Sequence, residues 1–139
     1  MLSVSKADVW AATCEDRPGG LNEKLEGLAK AGANLEFVLA RRLHEEPAKG
    51  VLFVTPLRGA EEQAAAKLGF RKTLSLYSLR IEGPDEAGLG AKITRALAAE
   101  NINLRGLSAA RSGNQFIAYL AVDSEDDAQR AANRLQKPL

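Results

Sequence analysis

The spacing of apolar residues changes along the first half of the chain, and each change predicts a new element. Apolar side chains share one face of Val9–Cys14, which predicts a strand. They recur at helical spacing from Leu21 to Ala29, and Gly32 follows as a helix-ending glycine. The rest of this half predicts two strands and an alanine-rich helix, at Leu35–Leu43, Val51–Thr55 and Ala60–Leu68.

The second half repeats this order of elements. The pattern predicts, in chain order, a strand, a helix, two strands and a helix at Tyr77–Glu82, Leu89–Glu100, Ile102–Ala110, Gln115–Val122 and Ser124–Leu135. Between the halves, Thr73–Glu82 alternates throughout, so it must hold the last strand of the first copy and the first strand of the second. Each copy is therefore β-α-β-β-α-β, with two helices on one face of an antiparallel sheet.

A shift of 69 residues superposes the two copies and places Asp16–Leu21 on Asp85–Gly90. Solenoid units repeat every ~20–50 residues, so a repeat of this length indicates two small domains. We predict an α+β protein made of two ferredoxin-like βαββαβ modules, with antiparallel sheets side by side and the helices of each module on one face. The predicted division is 1–75, including an N-terminal extension, and 76–139.

The second copy is one strand short. Only four residues follow Leu135, too few for a normal final strand. Leu2–Lys6 alternates like a strand, so we expect it to supply the missing one. We also expect a homodimer, because the unpaired backbone groups of a sheet edge are normally paired or covered.

Composition narrows the classes of function. Nineteen Lys and Arg face eighteen Asp and Glu, and this balance argues against a dedicated nucleic-acid binder. No segment approaches the ~18 apolar residues of a membrane span, and the first residues lack the layout of a secretory signal, so we expect a cytoplasmic protein. A single cysteine, Cys14, and no zinc-like spacing of Cys and His predict neither a disulfide nor a metal or other cofactor.

The sequence around the repeated turn resembles the ACT domain, the small regulatory module named for aspartokinase, chorismate mutase and prephenate dehydrogenase. Asp-Arg-Pro-Gly-Gly-Leu (16–21) follows a strand, and Gly-Ala-Asn-Leu (32–35) opens the next one after the helix. The second copy has Asp85, Gly88, Leu89 and Asn-Ile-Asn-Leu (101–104) in the same places. A motif found twice in matching context is fairly specific. The resemblance covers the chain from about Ala7 to about Leu135.

This resemblance implies a tandem ACT protein that senses an amino acid or another small metabolite where two modules meet side by side. The protein that it would regulate is not named by the sequence. In the family, the positions of Asp16 and Asn34 are polar ligand contacts, the second reaching across a module interface. The same transfer fits Asp85 and Asn103 in the second copy.

The residue types of the first turn suit a zwitterion. Gly19 and Gly20 leave backbone N–H groups uncovered at a helix start, where a carboxylate binds well. Asp16 offers an acceptor for an ammonium group, and the Asn34 amide both donates and accepts. The predicted ligand-binding residues of the first copy are Asp16, Arg17, Pro18, Gly19, Gly20, Leu21, Asn34 and Leu35.

The second copy departs from this pattern at two positions. Ala87 stands in the place of Pro18, and Glu86 stands in the place of Arg17. Since a carboxylate beside Asp85 repels a ligand carboxylate, we predict the better site in the first copy, unless the second binds a cation-rich ligand. Its candidate residues are Asp85, Glu86, Gly88, Leu89, Asn103 and Leu104.

Other interpretations stay open. Asp16 and Asp85 are also typical helix N-caps, and glycines are typical of tight turns. Arg41 and Arg42 are expected to be solvated at a strand end. We predict no catalytic residue, because His44 is the only histidine and no metal set or Ser/His/Asp set can be assembled. Three classes remain: a metabolite-sensing regulatory protein, a dimerisation protein that acts through a protein partner without ligand, and a small enzyme on the same sandwich, which the shortage of histidine disfavours.

Overall fold

The computed structural model describes residues 1–73 and 77–139, and its elements follow the predicted order. The strands there form two four-stranded antiparallel sheets, which confirms the α+β class. Leu74 and Leu76, expected in a strand, and the predicted boundary between 75 and 76 lie outside the described residues. The elements are β1 Ser3–Ala7, β2 Trp10–Glu15, α1 Gly20–Lys30, β3 Phe37–Arg42, β4 Lys49–Thr55, α2 Ala60–Lys67, β5 Arg71–Lys72, β6 Tyr77–Pro84, α3 Leu89–Ala99, β7 Leu104–Ser112, β8 Gln115–Val122 and α4 Glu125–Leu135.

Residues 8–73 form the N-terminal unit, whose sheet has the order β3-β4-β2-β5. Its core is apolar and includes Leu28, 1% exposed, and Phe70, 2% exposed. The prediction that Ala29 lies on the buried face of α1 is wrong, because Ala29 is exposed. Gly27 lies on the buried face instead. A Cβ at this position would come within 2.6 Å of Leu68 Cδ1, so the end of α2 approaches α1 closely where α1 has no side chain.

The C-terminal unit combines Met1–Ala7 with the described residues of 77–139. Its sheet has the order β1-β6-β8-β7, and β1 pairs antiparallel with β6 from Ser3 opposite Glu82 to Ala7 opposite Ser78. This pairing confirms that the N-terminal segment supplies the missing strand. The segment therefore belongs with the C-terminal unit, whereas the predicted division placed it with the first module.

The core of the C-terminal unit lies between its sheet and helices α3 and α4. Fully buried side chains come from both helices and the two central strands, and Leu2 joins them at 9% exposure. Val4 packs against the same cluster. Helix α4 begins after Ser124, whose Oγ accepts a hydrogen bond from the Asp127 N–H at 3.0 Å. Among the described residues, none of the helices is long and apolar enough to cross a bilayer.

Candidate functional site

Each unit contains a tight turn between its first long strand and the helix that follows, at Asp16–Gly19 (the first turn) and Asp85–Gly88 (the second turn). In both turns a glycine is the N-cap residue in the left-handed conformation, with φ of 87° at Gly19 and 81° at Gly88. Glycine adopts this conformation without a steric penalty. No side chain caps either helix. The interpretation of Asp16 and Asp85 as N-caps is therefore wrong.

The backbone donors of the first turn differ in part from those expected. The Gly20 N–H donates to the Arg17 carbonyl oxygen at 3.0 Å, so it is already engaged. The hydrogen-bond ladder of α1 begins with the Glu23 N–H, which donates to the cap residue at 3.0 Å. Leu21 and Asn22 occupy helical positions whose N–H groups precede this ladder. These two groups are the better placed donors for an anion.

Gly20 is a site of close approach between strand and helix. A Cβ at this position would lie 2.1 Å from the Glu15 carbonyl oxygen, a distance that real side chains do not reach. The start of α1 therefore rests directly on the end of β2. This contact fixes the height of the first turn above the sheet.

Asp16 forms an ion pair with Arg42 at the end of β3. The Arg42 Nε donates to Asp16 Oδ2 at 2.8 Å. In the second copy, an Arg111 guanidinium nitrogen lies 3.7 Å from Asp85 Oδ2. Sequence reasoning placed Arg42 in solvent and missed this contact. The repeat held a signal for it, because the shift that superposes the aspartates also superposes the two arginines.

A second pair of charges occurs in both turns with the signs exchanged. In the first turn an Arg17 guanidinium nitrogen lies 2.6 Å from Glu23 Oε1. At the equivalent positions of the second turn, Glu86 Oε1 accepts from Lys92 Nζ at 2.8 Å. The hydrogen bond and the charge of Glu23 raise the pKa of Arg17. The turns thus share their geometry and differ in the sign of the charge next to the aspartate.

Each turn is also held by the loop that precedes the neighbouring central strand. The Asp16 N–H donates to the Ala48 carbonyl oxygen at 2.9 Å, and the Asp85 N–H donates to the Asn114 carbonyl oxygen at 2.8 Å. In both turns the backbone N–H of the aspartate binds this loop, and its carboxylate pairs with the arginine. The two copies therefore present equivalent Asp–Arg pairs.

Asn34 lies at the opposite end of its sheet from Asp16. Arg42, next to Asp16, is at the end of β3, whereas Asn34 precedes Phe37 at its beginning. Five strand steps of about 3.3 Å separate these ends. The same applies to Asn103 and the second turn. The structure therefore groups the predicted turn residues but does not bring either asparagine to the turn of its own unit.

The remaining predicted contacts fall into two groups. Asn34 and Asn103 are exposed, so their amides are available to a ligand or a partner. Leu35 and Leu104 are partly buried and pack against the cores of their own units. For the two leucines, packing accounts for the observed position.

A cavity of about 320 Å³ lies beside the second turn. Its lining combines apolar side chains with charged ones. Gly83 lets the N-terminal segment close one side, since a Cβ there would lie 3.0 Å from Leu2 Cδ2. Residues 137–139 form the other side of the cavity. The Pro138 carbonyl oxygen accepts a hydrogen bond from Arg134 at 3.2 Å. The lining residues are Met1, Leu2, Pro84, Asp85, Glu86, Leu89, Lys137, Pro138 and Leu139.

Two side chains often used in catalysis are Cys14 and His44, and their surroundings differ. Cys14 is buried in the N-terminal unit, and His44 is exposed in the loop between β3 and β4. Across residues 1–73 and 77–139, no three His, Cys, Asp or Glu side chains come together in a way that could hold a metal ion.

Comparison with known proteins identifies the family of the C-terminal unit. Residues 77–137 match the family model of the ACT domain. No curated protein sequence matches the chain significantly.

Solved structures of low sequence identity share the fold over almost the whole chain. A protein of Bacteroides thetaiotaomicron is 20% identical with a TM-score of 0.78, covering 96% of this chain and 90% of that chain. Aspartokinase alpha and beta subunits are 19% identical with a TM-score of 0.65, covering 97% and 94%. The ligand-free regulatory subunit of aspartate kinase from Thermus thermophilus is 15% identical with a TM-score of 0.63, covering 98% and 97%. Residues 77–137 of the C-terminal unit therefore belong to the ACT-domain family, and the N-terminal unit has the corresponding order of strands in its sheet.

Proposed function

We propose that this protein is a non-enzymatic regulatory protein that binds a free amino acid, or a similar small carboxylate, at its strand-to-helix turns. One observation carries the proposal: each turn places a carboxylate and a guanidinium side by side at the start of a helix. A free amino acid carries the two complementary groups, an ammonium and a carboxylate, on the same α-carbon. A single turn could therefore receive both ends of it.

The roles of the residues at the first turn follow from their chemistry. The ligand carboxylate accepts hydrogen bonds from the backbone N–H groups of Leu21 and Asn22, where the helix dipole favours negative charge. Arg42 adds a charged donor beside them. Asp16 accepts from the ligand ammonium with the carboxylate oxygen that Arg42 leaves free. Asn34 of its own unit is too distant, so an asparagine contact would come from a different module.

The fold likeness agrees with a regulatory role. Two of the similar structures are described as aspartokinase subunits and as a regulatory subunit of aspartate kinase. The protein regulated by this chain would be a separate partner or another part of the same assembly. The exposed position of His44 and the burial of Cys14 offer no support for the enzyme alternative.

Replacing Asp16 by Ala should weaken binding of the first-turn ligand by about ten- to a hundredfold, because a charge-assisted hydrogen bond to its ammonium is lost. Isothermal titration with a panel of free amino acids, preceded by a thermal-shift screen, measures this change. Asp85→Ala is the matched control, since it removes the equivalent carboxylate from the other unit. A ligand of the first turn should bind this control with unchanged affinity.

The stability of the ligand-free variant must be measured in the same experiment. The Asp16 side chain is 35% exposed and that of Arg42 is 78% exposed, and an exposed ion pair of this kind contributes at most about 1 kcal/mol to folding. Loss of binding with little loss of stability supports a binding role. If no amino acid raises the melting temperature of the wild type, the proposal is wrong.

An assembly role is favoured by a separate observation. The edge strands β3 and β7 carry apolar side chains at equivalent positions, and Val38 and Leu107 are each 43% exposed. Because β1 completes the second sheet, a missing strand is no longer a reason to expect a dimer. The exposed apolar side chains on β3 and β7 do give a reason to expect a dimer, since an exposed apolar edge strand is a template for pairing with another chain. The alternative is thus a homodimer that acts through a protein partner without ligand.

Replacing Val38 or Leu107 by Lys should convert such a homodimer into a monomer, because a charge on an edge strand opposes strand pairing. Light scattering after size-exclusion chromatography, at micromolar concentration, gives the mass directly. Ala29→Lys, a change at an exposed position of helix α1, serves as the control and should leave the mass unchanged. A wild-type protein that is already monomeric would exclude the homodimer.

A further inference from the structure

The two turns differ in one respect that bears on the identity of the ligand. Resting on the proposed function, we infer that the cavity beside the second turn binds an amino acid with a cationic side chain, whereas the first turn favours an acidic one. The position after the aspartate is Glu86 in the second turn and Arg17 in the first. The geometry around these two positions is the same, and the charges are opposite.

The cavity has the size and surface of a site for a small molecule. Its volume of about 320 Å³ is near the lower end of the range of about 300–1,000 Å³ found for ligand pockets. Leu2 and Leu89, which are 9% and 4% exposed, provide an apolar floor for the methylene groups of a side chain. Asp85, Glu86 and Lys137 line the same cavity. An extended aliphatic ligand with charged ends fits this arrangement.

The signs of the wall charges select the class of ligand. Asp85 and Glu86 contribute two carboxylates, and Lys137 contributes one ammonium group. Their complement is a molecule with two cationic groups and one carboxylate, which describes an amino acid with an amino or guanidino side chain. The ligand carboxylate would bind at Lys137 or at the N–H groups of Gly90 and Ala91, which precede the ladder of α3. Its two cationic groups would bind at the two acids.

The acids already have partners, and these partners are exchangeable. Arg111 lies 3.7 Å from Asp85, and the Lys92 side chain, paired with Glu86, is 42% exposed. Exposed ion pairs contribute little to stability, so giving up Lys92 costs little. A ligand cation can therefore replace Lys92 as the partner of the Glu86 carboxylate. Glu86 repels a ligand carboxylate. This repulsion is avoided when a cationic group of the ligand lies next to Glu86 and the ligand carboxylate lies farther away.

Titration of L-ornithine and of L-norvaline, which lacks only the terminal amino group, tests the inference. The wild type should bind ornithine more tightly than norvaline by up to about fivefold, the effect of an ion pair at an exposed carboxylate. Asp85→Ala should weaken ornithine binding, and Asp8→Ala, which removes an exposed carboxylate away from both turns, should not. Lys137→Ala should weaken the binding of ornithine more than that of 1,4-diaminobutane, which has no carboxylate.

The decisive variant exchanges the charges of the second turn. Glu86→Arg with Lys92→Glu keeps an ion pair and the net charge, and gives the second turn the charge order of the first. Preference for ornithine over norvaline should disappear, and L-glutamate should bind more tightly than before. Asp8→Lys with Lys72→Asp exchanges the charges of an exposed ion pair away from both turns; it is the control and should leave ornithine binding unchanged. Glu86→Gln, a smaller change, should also remove the preference.

The possible results separate the two proposals. If amino acids bind but ornithine and norvaline bind equally, or if the exchange of charges leaves the preference unaltered, the charge inference is wrong and the proposed function stands. If no amino acid binds the wild-type protein, the proposed function fails and this inference fails with it.

Discussion

Deletion of Met1–Ala7 should unfold the C-terminal unit and leave the N-terminal unit folded. The deletion removes β1, which pairs with β6 over five residues, and exposes that strand's backbone as a new edge. It also removes Leu2 from the core and Val4 from its border. Loss of one buried leucine side chain alone costs about 2–5 kcal/mol, a large part of the stability of a small domain.

The aromatic residues of the chain allow each unit to be followed separately. Trp10 is the only tryptophan and packs against the core of the N-terminal unit. The only two tyrosines, Tyr77 and Tyr119, belong to the C-terminal unit. Near-ultraviolet circular dichroism should therefore lose the tyrosine bands in the deletion variant and retain the tryptophan bands. Unchanged tyrosine bands and an unchanged melting curve would show that β1 is dispensable.

A point substitution separates loss of the strand from loss of chain length. Val4→Asp places a charge against the core and should destabilise the C-terminal unit strongly, because an unpaired charge is costly to bury. Ser5 is exposed on the same strand, so Ser5→Asp should have little effect. Equal effects of the two variants would argue against the core role of Val4.

Gly20→Ala should destabilise the N-terminal unit by about 2–3 kcal/mol, near the upper end of the cost of overpacking. The added methyl group would lie 2.1 Å from the Glu15 carbonyl oxygen, so α1 must move away from β2. Denaturant unfolding followed by the fluorescence of Trp10 measures the change. Movement of α1 also displaces the N–H groups of Leu21 and Asn22, so any ligand of the first turn should bind more weakly.

The second copy provides a control at the neighbouring position, because the residue equivalent to Gly20 there is Leu89. Gly90 is in the first turn of α3, and nothing lies within 4 Å of the position of a Cβ there. Gly90→Ala should therefore stabilise its unit by about 0.5–1 kcal/mol, the ordinary difference between glycine and alanine in a helix. A similar loss of stability in both variants would contradict the packing explanation for Gly20.

Much of the fold could be predicted because it depends on local periodicity and on the repeat. Strand and helix spacings lie within one element, so they are visible in short windows of sequence. The alternation of Leu2–Lys6, together with the shortage of residues after Leu135, was enough to predict β1. The exposed position of Ala29 was not predictable in this way, because alanine suits either face of a helix and the closest contact there involves Gly27.

The site was less predictable, because its contacts join distant residues. The Asp16–Arg42 pair depends on the register between β3 and β4, which the residue types alone do not define. An aspartate before a helix is a typical cap, and only the backbone conformation of Gly19 shows that the cap position lies three residues later. The cavity beside Glu86 needs segments from both ends of the sequence, which no local pattern brings together.

The pairing of β1 with β6 has a consequence for how this fold can be varied. The two strands are antiparallel neighbours, as in a β-hairpin. Ala7 lies opposite Ser78, so a short turn could join the two strands at this end. Residues 8–73 are then a domain inserted into the loop of that hairpin. The beginning and end of the insert are close together, since the Thr73 N–H donates to the Val9 carbonyl oxygen at 3.0 Å. A two-residue turn is enough to join two antiparallel strands. Residues 8–73 can therefore be exchanged by recombination without removing a strand from the sheet of the C-terminal unit.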